Sequence, residues 1–289
     1  MSTDSTYKIR ALGDVHGQWG DDDARLLESG DQDFTVFVGD LGDENAEIVE
    51  DVASVDCELA VILGNHDAWR SFRENGATPA LRRSLDALGE DHLAYDVRDL
   101  PDAGLSLIGA RPFSWGGRDL RSPDLYSDLY GIRTPEESAA KIVEAAERAK
   151  FEDLVILAHN GPKGLGKKPA DIWGKDFGKS PGGDWGDQDL ADALSALRER
   201  GFRVRAVIAG HMHDRLMTPR GAPRDRFVRR GGTSFLNVAV VPRIRKAKDG
   251  RSLHHFVDTE WRNTTLIRVR ELWLDAEGSV VRRVEPEFL

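Results

Sequence analysis

The chain has 289 residues, 40% hydrophobic and 31% charged, which is room for one large domain or two modest ones. No run approaches the roughly 18 apolar residues of a membrane span, and Met1 to Lys8 lack the basic start and apolar core of a secretory signal. A single cysteine, Cys57, excludes an internal disulfide framework and predicts a reducing, cytoplasmic setting with Cys57 as a packing residue.

The net charge of −10 is unevenly spread. Residues 201–289 carry 18 Lys and Arg against 10 Asp and Glu, a net of +8, which leaves residues 1–200 with 22 against 40, a net of −18. An acidic body offers carboxylates to metal ions and repels long polyanions, so a long nucleic acid is not an expected partner. The basic C-terminal third reads as a solvated face, or as a surface for a phosphorylated substrate.

Short continuous runs rich in Val, Ile and Leu read as strands buried on both faces: Ile9–Leu12, Phe34–Val38, Leu59–Leu63, Leu105–Ile108, Leu154–Ala158 and Val204–Ala209. Helix-like stretches lie between them at Asp21–Ser29, Glu44–Val52, Pro135–Lys150 and Asp187–Arg200. The third opens with Thr134-Pro135-Glu136-Glu137, which puts proline in the first turn and acids at the positive end of the helix. The fourth ends before Gly201, a plausible cap. This alternation predicts an α/β core. Beyond residue 230 the helices stop. Ser234–Val241, His254–Trp261, Thr264–Leu274 and Ser279–Val284 read as an antiparallel, strand-rich segment, 231–289, that completes a second sheet. The expected organisation is a single domain over 1–289 with loop insertions near 110–135 and 160–188. The second of these is rich in glycine and holds five lysines and two tryptophans, and it reads as an active-site lid.

Five polar motifs follow strand-like runs: Gly13-Asp14-Val15-His16-Gly17, Gly39-Asp40-Leu41-Gly42-Asp43, Gly64-Asn65-His66-Asp67, His159-Asn160-Gly161 and Gly210-His211-Met212-His213. They hold five of the eight histidines, a clustering that packing alone does not require. Strand ends in α/β proteins are where loops converge into sites. Mixed carboxylate and imidazole donors suit Mn, Fe, Zn or Co better than Ca or Mg. The glycines before Asp14, Asp40, Asn65 and His211 are expected to let the backbone turn sharply.

In order and content the five motifs, over roughly residues 8 to 241, resemble the calcineurin-like metallophosphoesterase family. The resemblance implies a four-layer α-β-β-α sandwich of two mixed sheets flanked by helices, with two metal ions at the strand carboxyl ends. It implies Asp14, His16 and His213 on one ion, Asn65, His159 and His211 on the other, and Asp40 bridging them. The ions would be divalent or trivalent, with Mn, Fe and Zn foremost. His66 would be the general acid facing the phosphate, and Asp67 would orient its ring. The implied reaction is hydrolysis of a phosphomonoester or phosphodiester of a small molecule or nucleotide, by in-line attack of a metal-bridging hydroxide.

Other residues are open to two readings. Asp43 reads as the N-cap of the helix starting near Glu44, or as a hydrogen-bond acceptor beside the site. Asn160 either orients a neighbour or shapes its turn. Arg70 and Arg111 are candidate phosphate contacts. The loop lysines Lys163, Lys167, Lys168, Lys175 and Lys179 form an anion clamp or a solvated face, and Trp69, Trp115, Trp173 and Trp185 stack a base or pack their loops. His92, His254 and His255 read as structural or surface residues, His255 with a possible approach to the site. The first motif also resembles serine/threonine protein phosphatases. Those are expected to close the second motif with Asp-Arg-Gly, and this chain has Asp43-Glu44-Asn45; they also have Gly-Asn-His-Glu where this chain has Asp67. A protein phosphatase, or a non-catalytic scaffold of the same fold, are the alternatives.

Overall fold

The computed structural model describes residues 6–287. The first half runs β1 (Tyr7–Leu12), α1 (Asp21–Glu28), β2 (Phe34–Phe37), α2 (Ala46–Ala53), β3 (Leu59–Val61), α3 (Trp69–Glu74), α4 (Pro79–Leu88), β4 (Val97–Leu100), β5 (Leu105–Gly109) and α5 (Pro123–Tyr130). The second half runs α6 (Pro135–Glu147), β6 (Asp153–Leu157), α7 (Gln188–Glu199), β7 (Arg203–Ala209), β8 (Phe227–Arg230), β9 (Thr233–Asn237), β10 (Ile244–Lys246), β11 (Ser252–Arg262), β12 (Thr265–Leu274) and β13 (Val280–Val284).

The strands form two mixed sheets. One has the order β13-β12-β11-β1-β2-β3, with β10 added beside β11; the other has the order β4-β5-β6-β7-β9-β8. Strands β1, β2 and β3 are parallel to one another, as are β5, β6, β7 and β9. Side chains alternate across a strand, and here both sides are covered. Ile9, Ala11, Val36 and Val38 of the first sheet cluster with Leu107, Val155, Leu157, Ala206 and Ile208 of the second, between the sheets. Their neighbours Leu12, Phe37, Ile156 and Val207 pack instead with helix residues such as Leu26, Val49, Ile142 and Leu194. That double burial explains the unbroken apolar runs.

The C-terminal strands do not complete one sheet, as expected, but divide between two. β9 lies parallel to β7 in the second sheet, whereas β11 pairs antiparallel with β1 and carries β12 and β13 onto the first. The 110–135 segment holds a helix, α5, rather than loop alone. The α6 start is as read: the Thr134 side chain accepts the Glu137 N–H, and the Glu137 carboxylate accepts the Thr134 N–H in return.

The 160–188 insertion is tied down rather than hung as a lid. Arg224 donates from Nη1 to the carbonyls of Pro169, Asp171 and Gly174 at 2.9, 2.8 and 2.8 Å, and its Nη2 meets Asp176 at 3.1 Å. Trp173 is wholly buried beneath it. Asn160 shapes this turn by donating to the Trp185 carbonyl and to Asp187.

Candidate metal centre

The motif residues converge where the ends of the two sheets meet. Asp14 and His16 follow β1, Asp40 follows β2 and Asn65 follows β3; His159 follows β6, and His211 and His213 follow β7. Among the described residues three overlapping donor groups form. Asp14, His16 and His213 offer atoms that all lie within 4.8 Å of one another, and so do Asp40, His159 and His211, and His16, Asp40 and His66. Asp40 faces the first two: Oδ2 is 3.7 Å from His16 Nε2 and Oδ1 is 3.5 Å from His159 Nε2. Asn65 Oδ1 lies 2.8 Å from His159 Nε2.

The local backbone is strained. Asp14, His16, Asp40, Asp43 and His211 all have positive φ, between 46° and 67°, a conformation that costs a non-glycine residue energy and recurs at functional sites. The turn is therefore made by the donor residues themselves. Of the four preceding glycines only Gly39, at φ 99°, has positive φ; the others provide clearance. A Cβ on Gly64 would collide with the Asp40 carboxylate, and one on Gly210 with that of Asp14.

The donor chemistry fits cations. His159 Nδ1 is 2.7 Å from the Val38 carbonyl, which can only accept, so that nitrogen carries the proton. The lone pair of its Nε2 then points at Asn65 Oδ1, Asp40 Oδ1 and, at 3.2 Å, His211 Nδ1. His16 Nε2 and His213 Nε2 face each other at 3.4 Å, and the buried Asp14 Oδ1 has no hydrogen-bond partner. Such a gathering of acceptors in a buried place is unfavourable unless a positive charge sits among them.

The field of the site is negative. Burial lowers the His16 imidazole, but the Asp43 hydrogen bond and the Asp40 and Asp14 charges outweigh it and raise it to about 9. The Asp43 hydrogen bond likewise raises His66. His16 and His66 in turn hold the Asp43 carboxyl well below the usual range. Burial pushes the Asp14 carboxyl up, and contact with His213 pulls it further down, for a net lowering. Burial keeps His211 well below the ordinary histidine range.

Several sequence expectations are corrected here. Asp67 does not touch the His66 ring. Its buried carboxylate accepts the N–H groups of Leu41, Gly42 and Gly64 at 2.8, 3.1 and 2.8 Å, pinning the β2 and β3 loops together. Burial and the nearby Asp40 charge raise it to about 7. The ring is held instead by Asp43, whose Oδ1 is 3.2 Å from His66 Nδ1 and 3.0 Å from His16 Nδ1. Asp43 is therefore the acceptor beside the site and not a helix cap; the α2 cap is Asn45, which accepts the Glu47 N–H.

Arg111 is not a phosphate contact. It is 2% exposed and locked between Asp187, at 2.9 Å, and Asp189, at 3.0 Å. Arg70 is exposed, and its guanidinium donates to the Glu44 carbonyl at 2.9 Å. Glu44, standing where the protein-phosphatase pattern has arginine, is 1% exposed and accepts from Ser71 Oγ, Thr78 Oγ1 and the Arg70 N–H. His255 stays away from the site, near Glu271 and Trp273, and His254 is bonded to Asp23. Cys57 packs against the core with its thiol near Thr35.

Residues 7–215, most of the chain, match the calcineurin-like phosphoesterase family. The chain belongs to that family. It is accordingly a metal-dependent phosphoester hydrolase with two mixed sheets flanked by helices. No curated protein sequence matches it significantly. Among solved structures, one crystal structure aligns at 11% identity with a TM-score of 0.53, covering 97% of this chain and 99% of the other. A purple acid phosphatase from yellow lupin seeds aligns at 14% identity, TM-score 0.49, over 97% of this chain but 53% of its own. A protein of Staphylococcus aureus provisionally described as a 5′-nucleotidase aligns at 14% identity, TM-score 0.48, over 99% of this chain and 55% of its own. The chain thus spans about half the length of these last two. Among the described residues no helix is long and apolar enough to cross a membrane.

Proposed function

We propose that this family member hydrolyses a phosphomonoester or phosphodiester of a small molecule or nucleotide, in one domain built from both sheets. The observation that carries this reading is the convergence of carboxylate, amide and imidazole groups from five strand ends on two adjacent points. In this reading Asp14, His16 and His213 hold one transition-metal ion, Asn65, His159 and His211 hold the second, and Asp40 bridges them. Mn, Fe or Zn suits the mixed oxygen and nitrogen donors. When bound, such a pair supplies a nucleophile at neutral pH and neutralises charge on the phosphoryl group.

The chain's own residues do the rest. Asp43 binds His66 through Nδ1 and fixes the ring, which leaves Nε2 to meet the substrate. The same contact favours the imidazolium, so His66 can give its proton to the departing ester oxygen. Asp67 keeps the Asp40 and Asn65 loops in register through its three backbone bonds. His159 is oriented by the Val38 carbonyl, as ligating histidines usually are by a second partner.

The test is hydrolysis of p-nitrophenyl phosphate and bis-p-nitrophenyl phosphate by metal-stripped protein with Mn, Fe, Zn, Co and Mg restored singly. His66→Ala should keep both ions and lose about 10²–10⁴ of the rate. Turnover with one ester and not the other sets the mono- or diesterase preference. Two bound ions without turnover of either ester would move the chain towards the scaffold reading.

A further inference from the structure

The four tryptophans singled out in the sequence separate in the structure. Trp173 is core. Trp69 and Trp115 stand beside His66, and Trp185 stands behind them. The His66 and Trp69 rings stack 5.1 Å apart at 30°, His66 and Trp115 lie 6.3 Å apart at 26°, and the two indoles are 5.2 Å apart. Phe72 meets Trp115 edge-on at 5.8 Å. Trp185 donates its Nε1–H to the Trp115 carbonyl at 2.7 Å and takes Phe177 edge-on at 5.0 Å. Trp69, Phe72, Trp115, Phe177 and Trp185 all remain partly exposed. Trp69, Phe72 and Trp115 thus form a partly open aromatic ridge beside His66, and the Phe177–Trp185 pair is joined to it through the Trp115 carbonyl.

Cations lie on this ridge. The Arg121 guanidinium is 3.8 Å from the centre of the Trp115 ring, Arg73 is 5.2 Å from that of Trp69, and Lys175 Nζ is 5.3 Å from that of Trp185. Among the described residues none of the three is in an ion pair, although the chain carries 50 Asp and Glu. Trp115 Nε1 is also without an acceptor. Partly exposed rings capped by unpaired cations make a surface for planar anions, because aromatic faces and guanidinium planes both stack flat rings and the charges attract phosphate.

We propose that this ridge seats the leaving side of the ester, and that the leaving group carries a planar aromatic ring and a further negative charge. The proposal rests on the hydrolysis reading above and narrows it to one substrate class. His66 fixes the direction: a proton donor to the departing oxygen sits on the leaving side, and the ridge begins at its ring. The ring extends the Trp115–Arg121 stack, either over the guanidinium or in its place. Arg73, Arg121 and Lys175 take the extra charge. A nucleobase and a simple aryl group share this chemistry.

Non-hydrolysable phosphonates, with methylene in place of the ester oxygen, test it by titration calorimetry on the metal-loaded full chain, so that binding is read without turnover. The probes are the phosphonate analogues of ribose 5-phosphate, adenosine 5′-phosphate, 2-phenylethyl phosphate and adenosine 3′,5′-bisphosphate. Ring-bearing probes should bind about 10- to 100-fold tighter than the ribose analogue. That gap should vanish in Trp115→Leu and survive in Trp115→Phe, which keeps a ring. The bisphosphate analogue should gain several-fold over the monophosphate analogue, and Arg121→Gln should remove the gain. Tight binding of the adenosine probe alone identifies a nucleobase; equal binding of the phenylethyl probe identifies any aryl group. Equal affinity for ring and ribose probes, or a gap that persists in the Trp69→Leu/Trp115→Leu double variant, would overturn the proposal. Turnover of p-nitrophenyl phosphate and bis-p-nitrophenyl phosphate by the same preparation separates the two readings, since a ring-dependent gap with no turnover of either ester would sink hydrolysis and leave ring binding standing.

Discussion

The two sheets contribute unlike chemistry to one place. The ends of β1, β2 and β3 bring two carboxylates, an amide and one imidazole, Asp14, Asp40, Asn65 and His16; the ends of β6 and β7 bring three imidazoles, His159, His211 and His213. The first sheet therefore supplies the carboxylates and the second supplies imidazole nitrogen alone. Each of the two proposed ions draws its donors from both sheets. The strain follows the same division: four of the five positive-φ motif residues, Asp14, His16, Asp40 and Asp43, belong to the first sheet. In the proposed reading, the metal site needs both sheets in place.

The largest break in that comparison comes from the carboxylate facing imidazoles of both sheets. Asp40→Ala should drop bound metal below two ions per chain by elemental analysis and lower turnover by more than about a hundredfold, the cost already seen for losses one shell further out. Full activity with two ions would refute the bridging role. Next is the second sheet's support. Arg111→Leu leaves Asp187 and Asp189 buried without their cation and should cost about 3–5 kcal/mol in denaturant unfolding, with metal content per folded chain unchanged. A smaller effect is expected from Asp43→Asn, which weakens the hold on His16 and His66 together. It should lower kcat by about 10- to 100-fold while both ions stay bound.

The smallest effect is a pH dependence. His92 Nε2 accepts the Leu63 N–H, and burial pulls its imidazole down to about 4. The unfolded chain takes that proton near pH 6.5 and the folded chain does not, so the unfolded state binds more protons and stability falls as pH drops from about 6.5 towards 4. The loss is at most about 1.4 kcal/mol per pH unit. His92→Gln, whose amide oxygen can still accept, should flatten Tm between pH 7 and pH 5 relative to the parent chain; an unchanged slope would show that His92 does not titrate with folding.

Much of this was legible in the chain. Continuous apolar runs located β1, β2, β3, β5, β6 and β7 because strands covered on both faces leave no polar alternation. The metal motifs were readable because each pairs a turn with a donor. The unread parts have physical reasons. Arg111 looks in sequence like any loop arginine, and only tertiary packing sets Asp187 and Asp189 against it. Asp67 is next to His66 in the chain and Asp43 lies in the preceding motif, so sequence adjacency points to the wrong acid, and only the fold brings Asp43 to the ring. The short strands β4, β8 and β10, such as Val97-Arg98-Asp99-Leu100, are too polar to stand out, since they form through pairing with a neighbour. Helix α4 was within reach, because Thr78-Pro79 repeats the Thr134-Pro135 start and the Thr78 hydroxyl does accept the Leu81 N–H.

One consequence lies in how the donors divide. Each proposed ion is gripped from both sides, by Asp14 and His16 against His213, and by Asp40 and Asn65 against His159 and His211. An ion held that way is a cross-link between two layers, added to their side-chain packing and to contacts such as His159 with the Val38 carbonyl. Free metal at a hundred times its dissociation constant would add about 2.7 kcal/mol to the folded state. A chelator would then act on this protein as a mild denaturant, loosening the seam before it touched either sheet.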